Sequence, residues 1–103
     1  MKHVYFRAMH IEDYQDFDRS EELTTREPIT WWTDGREPAG FYQSEGRVIV
    51  KMTLDAPLPE QFKGIAHFAM DDRTRYNHRE WAVPIEQFND FVGAHLEALE
   101  IVK

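Results

Sequence analysis

An apolar stripe near the C-terminus constrains the fold more than any other feature of the sequence. Its members recur at intervals of three and four residues: Ile85, Phe88, Phe91, Val92, His95, Leu96 and Leu99. This spacing places side chains on one face of an α-helix. Pro84 precedes the stripe, where a first helical turn tolerates a missing N–H. The pattern predicts an amphipathic helix from Pro84 to about Leu99, which must bury its stripe against another layer.

Two segments alternate between faces, as half-buried β-strands do. The clearer one covers residues 47–54, with one face formed by Val48, Val50, Met52 and Leu54. The other covers residues 3–9, where Val4, Phe6 and Ala8 share a face and His3, Tyr5, Arg7 and Met9 share the opposite one. Each segment is predicted to be a strand with one buried face.

Further elements complete an α+β domain. Ile11, Tyr14 and Phe17 recur every three positions among acidic residues and predict a short N-terminal helix. Strands are predicted at 28–33, 65–70 and 79–83, a helical turn at 36–43, and a polar loop at 71–78. We therefore expect one domain, residues 1–103, with a twisted sheet of about five strands, mainly antiparallel or mixed, and a C-terminal amphipathic helix.

Composition excludes several classes of protein. The 103 residues include no Cys, so there is no disulfide framework, thiolate nucleophile or zinc ribbon. The hydrophobic share of 42% is too high for a disordered acidic chain. A net charge of -7 argues against a long nucleic acid as partner, although the acids concentrate in residues 11–27 and 85–103. No apolar run predicts a membrane span or a signal peptide, so we expect a cytoplasmic protein.

Motifs for metal or nucleophilic chemistry are weak. His67, Asp71, Asp72 and His78 could ligate a cation, but their spacing matches no zinc template, and we expect no metal. The glycines are dispersed, which excludes a Walker or Rossmann phosphate loop. No Gly-x-Ser-x-Gly segment is present.

One ordered constellation remains. It consists of Phe6-Arg7-Ala8-Met9, then Ile29-Thr30-Trp31-Trp32-Thr33-Asp34, then Phe41-Tyr42, and finally Arg79-Glu80-Trp81-Ala82-Val83-Pro84. In this order the sequence resembles the small ADP-ribosyltransferase-like domains. In that family an Arg lies on the first strand, a Ser/Thr-aromatic-Thr segment opens the second block, and a Glu lies on a late strand. Here His78 stands two residues before that Glu, where the family often has Glu or Gln.

The resemblance implies an NAD site. Arg7 would hold the phosphate or the nicotinamide ribose of NAD, and Glu80 would be the catalytic carboxylate. Either Thr30 or Thr33 would support the site. Either Trp31 or Trp32, together with Tyr42, would stack on the nicotinamide. Cleavage of the bond between nicotinamide and ribose builds positive charge on the sugar, which a carboxylate stabilises where it develops. The implied activity is ADP-ribosyl transfer or NAD hydrolysis, and it requires these residues to converge on one cleft.

Two other functions are compatible with the sequence. A small acidic protein of the host-directed or antidefence type could inhibit a partner by docking Glu12, Asp13, Asp16 and Asp18 on its basic surface. Alternatively, the tryptophan pair and Phe41-Tyr42 could form an apolar contact between copies of the chain. The oligomeric state stays open.

Overall fold

A computed structural model describes residues 2–24, 28–35, 46–69 and 75–102, and only the backbone at 65–69 and 75–78. Its elements are β1 (His3–His10), α1 (Ile11–Ser20), β2 (Ile29–Thr33), β3 (Arg47–Leu54), a 3₁₀ turn (Glu60–Phe62), β4 (Lys63–Ala69), β5 (Arg75–Pro84), α2 (Ile85–His95) and β6 (Leu96–Val102). The described strands form one sheet in the order β4-β5-β2-β1-β3-β6, and each neighbouring pair is antiparallel. The α+β prediction is confirmed, but the sheet has six described strands rather than about five.

Both helices pack on one face of the sheet, the core face. The aromatic centre of the core joins both helices to the sheet. Trp32 of β2 stacks on Phe88 of α2 with ring centroids 5.6 Å apart, and Phe17 of α1 meets Trp32 edge-on. The remaining buried members of this cluster are Tyr5, Met9, Leu23, Val50, Met52, Leu54, Leu58, Trp81, Val83 and Val92. The predicted apolar face of β3 is thus confirmed as a core face.

In β1 the core face is the one that carries Tyr5 and Met9. Tyr5 can be buried there because its hydroxyl accepts a hydrogen bond from the Leu58 backbone N–H at 2.9 Å. Its ring meets Trp81 edge-on, with centroids 5.0 Å apart. By contrast, the buried Trp81 Nε1 has no hydrogen-bond partner among the described residues.

The opposite face of the sheet, the outer face, is crossed by one continuous row of register partners. From the β4 edge to the β6 edge the row reads Gly64, Glu80, Thr33, Phe6, Lys51 and Glu100. Directly opposed residues on antiparallel strands point to the same face. The row therefore places Glu80 and Thr33 side by side, and at its far end Lys51 and Glu100 form an ion pair at 3.4 Å.

The predicted C-terminal helix is too long. α2 ends at His95, whose carbonyl oxygen accepts a hydrogen bond from Asp55 N–H at 3.0 Å, and the chain continues as β6. A bulge explains the misleading pattern. Leu96 is opposite Leu54 and Ala98 is opposite Thr53, so one extra residue, Glu97, separates them. Leu96 and Leu99 consequently reach the same core from a strand while keeping a spacing of three.

Two further predictions change in detail. β5 begins at Arg75 rather than at Arg79, because residues 75–78, which were expected in a polar loop, pair with β4. The N-terminal helix, predicted from Ile11 to about Phe17, extends to Ser20 and is followed by Glu21 in the left-handed conformation, with φ of 59°. The helical turn predicted at 36–43 lies outside the described residues.

Candidate functional site

Three neighbouring strands carry the constellation that the sequence singled out. β2 lies between β5 and β1, so Glu80, residues 30–33 and Arg7 come from adjacent strands although they are far apart in sequence. The register is specific: Thr33 is opposite Glu80 on one side and Phe6 on the other. Thr33 is therefore the hydroxyl residue next to Glu80, whereas Thr30 is opposite Val83.

The Thr33 hydroxyl is buried and already has one contact. Its oxygen accepts a hydrogen bond from Gly35 N–H at 3.3 Å, where β2 ends in a turn. Because the oxygen acts as the acceptor in that bond, its own hydrogen remains a donor. This bond holds the Thr33 side chain at the strand position opposite Glu80.

Arg7 lies where β1 and β2 diverge. β1 pairs with β3 along its whole length, but its described pairing with β2 consists of Phe6 opposite Thr33. Arg7 is the next residue, and its Nη1 donates a hydrogen bond to the Trp31 carbonyl oxygen at 3.0 Å. Strand alternation assigns Arg7 to the side of Tyr5 and Met9 and Glu80 to the outer face. The guanidinium ends at the main chain of β2, between the two strands.

The adjacent tryptophans lie in opposite environments. Trp32 is 1% exposed in the core, and its Nε1 donates to the Thr30 hydroxyl oxygen at 3.0 Å, so the buried indole N–H has a partner. Trp31 is on the outer face and is 44% exposed. It lies opposite the small residue Ala82. Of the two indoles, Trp31 is the one that an external ring could stack on.

An ion pair that sequence reasoning did not assign to the site braces the same strand ends. Arg79 Nη2 lies 2.6 Å from Asp34 Oδ2, and these residues immediately flank the Thr33–Glu80 pair in sequence. Asp34 closes the second block of the sequence constellation, but nothing local reveals its contact with Arg79, a residue 45 positions away. Burial raises the pKa of the nearby Tyr5 hydroxyl, and the charge of Asp34 raises it further.

Several residues predicted to bind NAD or considered as metal ligands lie outside the residues that the structure describes. Tyr42 is one of them, and of the candidate metal set Asp71 and Asp72 are not described, while His67 and His78 are described by backbone alone. Among the described side chains no group of three or more His, Asp or Glu could hold a metal ion. No helix in the described ranges is long and apolar enough to cross a bilayer.

Comparison of the chain with models of known protein families, with curated proteins and with solved structures finds no match. The chemistry available at the site therefore has to be judged from its own groups. A carboxylate and a hydroxyl lie side by side in one row, a guanidinium is at the adjoining strand boundary, and an exposed indole lies two residues from the hydroxyl. Glu80, Thr33 and Trp31 belong to the outer face, whereas Arg7 starts on the core side, so Arg7 and Glu80 do not meet on one face of the sheet. The outer face offers a stacking surface and a carboxylate that can stabilise developing positive charge, and the guanidinium offers an anion contact at the boundary between β1 and β2.

Proposed function

We propose that this protein binds NAD between β1, β2 and β5 and cleaves the bond between nicotinamide and ribose, passing ADP-ribose to an acceptor. The proposal starts from the resemblance to ADP-ribosyltransferase-like domains and adds the pairing of residues between β2 and β5. The observation that carries it is the pairing of Thr33 with Glu80 next to the point where β1 and β2 separate. A separation between two central strands is where a ligand can approach backbone and side chains of both.

Each group has a distinct part in this reaction. The Glu80 carboxylate stabilises the positive charge that develops on the ribose as nicotinamide departs. The Thr33 hydroxyl, adjacent in the register, keeps that carboxylate oriented. Arg7 starts on the core side, so in this proposal it contacts the diphosphate through the gap between β1 and β2. Its planar guanidinium matches a diphosphate better than an ammonium would, since it presents a rigid fork of donors. The exposed face of Trp31 stacks on the nicotinamide ring and keeps water away from it.

The experiment is the release of nicotinamide from NAD, followed chromatographically with purified protein. Glu80→Gln keeps the size and shape of the side chain but removes its charge and replaces one acceptor oxygen with an NH2 donor. We expect it to lower kcat about 100-fold or more, the usual loss when an electrostatic contact to the transition state is removed. Arg7→Lys keeps the charge but loses the fork, and we expect it to raise KM more than it lowers kcat.

The matched control is Glu100→Gln, which removes a carboxylate from the same row of the outer face at the opposite edge of the sheet. It should leave turnover unchanged. Turnover by Glu80→Gln equal to that of the unmodified protein would exclude Glu80 as the catalytic carboxylate. An unmodified protein that binds no NAD and releases no nicotinamide would exclude the function itself.

A second candidate function is supported by the exposed acidic side chains of α1. Glu12, Asp16 and Asp18 are exposed, with Asp16 also paired to Arg19. A protein with this surface could bind and inhibit a basic partner. Its capture of a lysine-rich probe peptide should then weaken as salt rises and fail after Asp16→Asn and Asp18→Asn together. Capture that is independent of salt would contradict this mode.

A further inference from the structure

Gly64 leaves open space directly beside Glu80. It is the register partner of Glu80 on the β4 side, so a side chain at position 64 would project from the outer face next to that carboxylate. Among the described residues, no heavy atom beyond its chain neighbours lies within 4 Å of a Cβ built on Gly64. Its φ does not lie in the left-handed region either, so the backbone itself does not require glycine here.

The two sides of Glu80 are therefore unlike. Toward the centre of the sheet its register partner is Thr33, which is 6% exposed. Toward the sheet edge its partner is exposed and has no side chain. Glycine is disfavoured in strands because it packs poorly and loses more entropy on folding. A glycine that neither conformation nor packing explains, opposite a candidate catalytic residue, indicates that space is needed there.

We infer that the space above Gly64 is where the acceptor reaches the reaction centre, and that it admits a nucleophile much larger than water. This inference rests on the proposed function and adds to it a route and a size class for the acceptor. The acceptor is an alcohol or amine carried on a larger molecule. Gly64 is thus a specificity-determining position and not a catalytic residue.

The transfer step balances as follows for an alcohol. The alcohol oxygen forms a bond to C1′ of the ribose, and the bond from C1′ to the pyridinium nitrogen breaks. The electron pair of that bond leaves with nicotinamide, which becomes neutral. The proton of the alcohol passes to the Glu80 carboxylate or to water. With water as the nucleophile, the same step yields free ADP-ribose.

The experiment measures how one reaction partitions between two nucleophiles. Protein and NAD are incubated with benzyl alcohol, and the benzyl ADP-riboside and ADP-ribose formed are quantified together with nicotinamide. The ratio of the two products reports acceptor access and does not depend on the overall rate. A parallel series with methanol tests whether the effect follows the size of the alcohol.

The test variant is Gly64→Val and its matched control is Ala98→Val. Ala98 is also an exposed small residue on the outer face of an edge strand, but at the other end of the sheet. Both variants should melt no lower than the unmodified protein, since valine suits strands. In Gly64→Val we expect the ratio of benzyl ADP-riboside to ADP-ribose to fall about tenfold or more, with a smaller fall for methanol. Ala98→Val should leave both ratios unchanged.

Each other outcome has a definite meaning. If the unmodified protein releases nicotinamide but forms no benzyl product, or if Gly64→Val leaves the ratio unchanged, the inferred acceptor route is overturned and the proposed function stands. The same holds if Gly64→Val slows hydrolysis and transfer equally, because the space then serves NAD entry. If the unmodified protein releases no nicotinamide, both the function and this route are overturned.

Discussion

The hydrogen bond between Trp32 and Thr30 offers a quantitative test of how the centre of the sheet is stabilised. Both side chains are essentially inaccessible to water, at 1% and 0% exposure, and Nε1 lies 3.0 Å from the hydroxyl oxygen. Thr30→Val keeps the shape of the side chain and removes the acceptor. The indole N–H is then buried without a partner, which costs about 1–3 kcal/mol. We expect the free energy of unfolding to fall by about that amount.

Urea unfolding followed by far-ultraviolet circular dichroism measures this loss, because the signal does not depend on the indoles that the variants change. The double-mutant cycle with Trp32→Phe isolates the bond. In the presence of phenylalanine at position 32, Thr30→Val removes a hydroxyl that has already lost its donor. The two changes should therefore show a coupling free energy of about 1 kcal/mol.

Trp31 provides the internal control for this cycle. Its side chain is on the opposite face of β2 from Thr30 and is 44% exposed, so Trp31→Phe should show no coupling to Thr30→Val beyond about 0.5 kcal/mol. If Thr30→Val is as stable as the unmodified protein, or if both cycles give the same coupling, the bond between Thr30 and Trp32 does not stabilise the fold as argued.

Three shorter predictions address other parts of the fold. Glu21 follows α1 with φ of 59°, so Glu21→Gly should raise stability by about 1 kcal/mol in thermal unfolding, whereas an unchanged or lower melting temperature contradicts the argument. The Asn89 side-chain amide accepts a hydrogen bond from Leu23 N–H at 2.7 Å and donates one to the Leu23 carbonyl oxygen at 3.0 Å. Asn89→Asp loses the donor and should lower the free energy of unfolding in urea by about 1–3 kcal/mol. An unchanged free energy of unfolding would refute this prediction. Burial raises the pKa of Tyr5 above its unfolded value of 10.0, so stability should decline as the pH rises above that value, and Tyr5→Phe, tested by unfolding across alkaline pH, should reduce the slope.

Local sequence patterns predict which face of a strand is buried for β3 but not for β1. In β3 one face is almost wholly aliphatic, which leaves a single choice of core face, and the structure agrees. In β1 both faces are partly apolar. The choice there depends on Leu58, a residue 53 positions away whose N–H pairs with Tyr5. No local pattern contains that contact.

The end of the chain shows how a local irregularity misleads a periodic reading. A regular strand would place Leu96 and Leu99 on opposite faces. The extra residue at Glu97 shifts the alternation by one, so both side chains reach the core with the spacing of a helix. Since a bulge is defined by its pairing with the neighbouring strand, it is not visible in one sequence.

The candidate site, too, is predictable from the sequence only in part. The sequence singles out Arg7, Thr33 and Glu80 as residue types, but it leaves Thr30 and Thr33 equivalent. The register between β2 and β5 separates them, since it depends on the pairing of segments nearly 50 residues apart. The register between β4 and β5 reveals Gly64, which as a single glycine before an apolar segment carries no local signal.

The opposite placement of Trp31 and Trp32 also equips the protein with two separate optical reporters. Trp31 is solvated and lies beside the candidate site, so its fluorescence should be quenched by a dissolved quencher and should respond when a ring stacks on it. Trp32 is shielded by Phe17 and Phe88 and should change its emission only when the helices leave the sheet. One pair of adjacent indoles can therefore report ligand occupancy and loss of the core in the same sample, at different emission wavelengths.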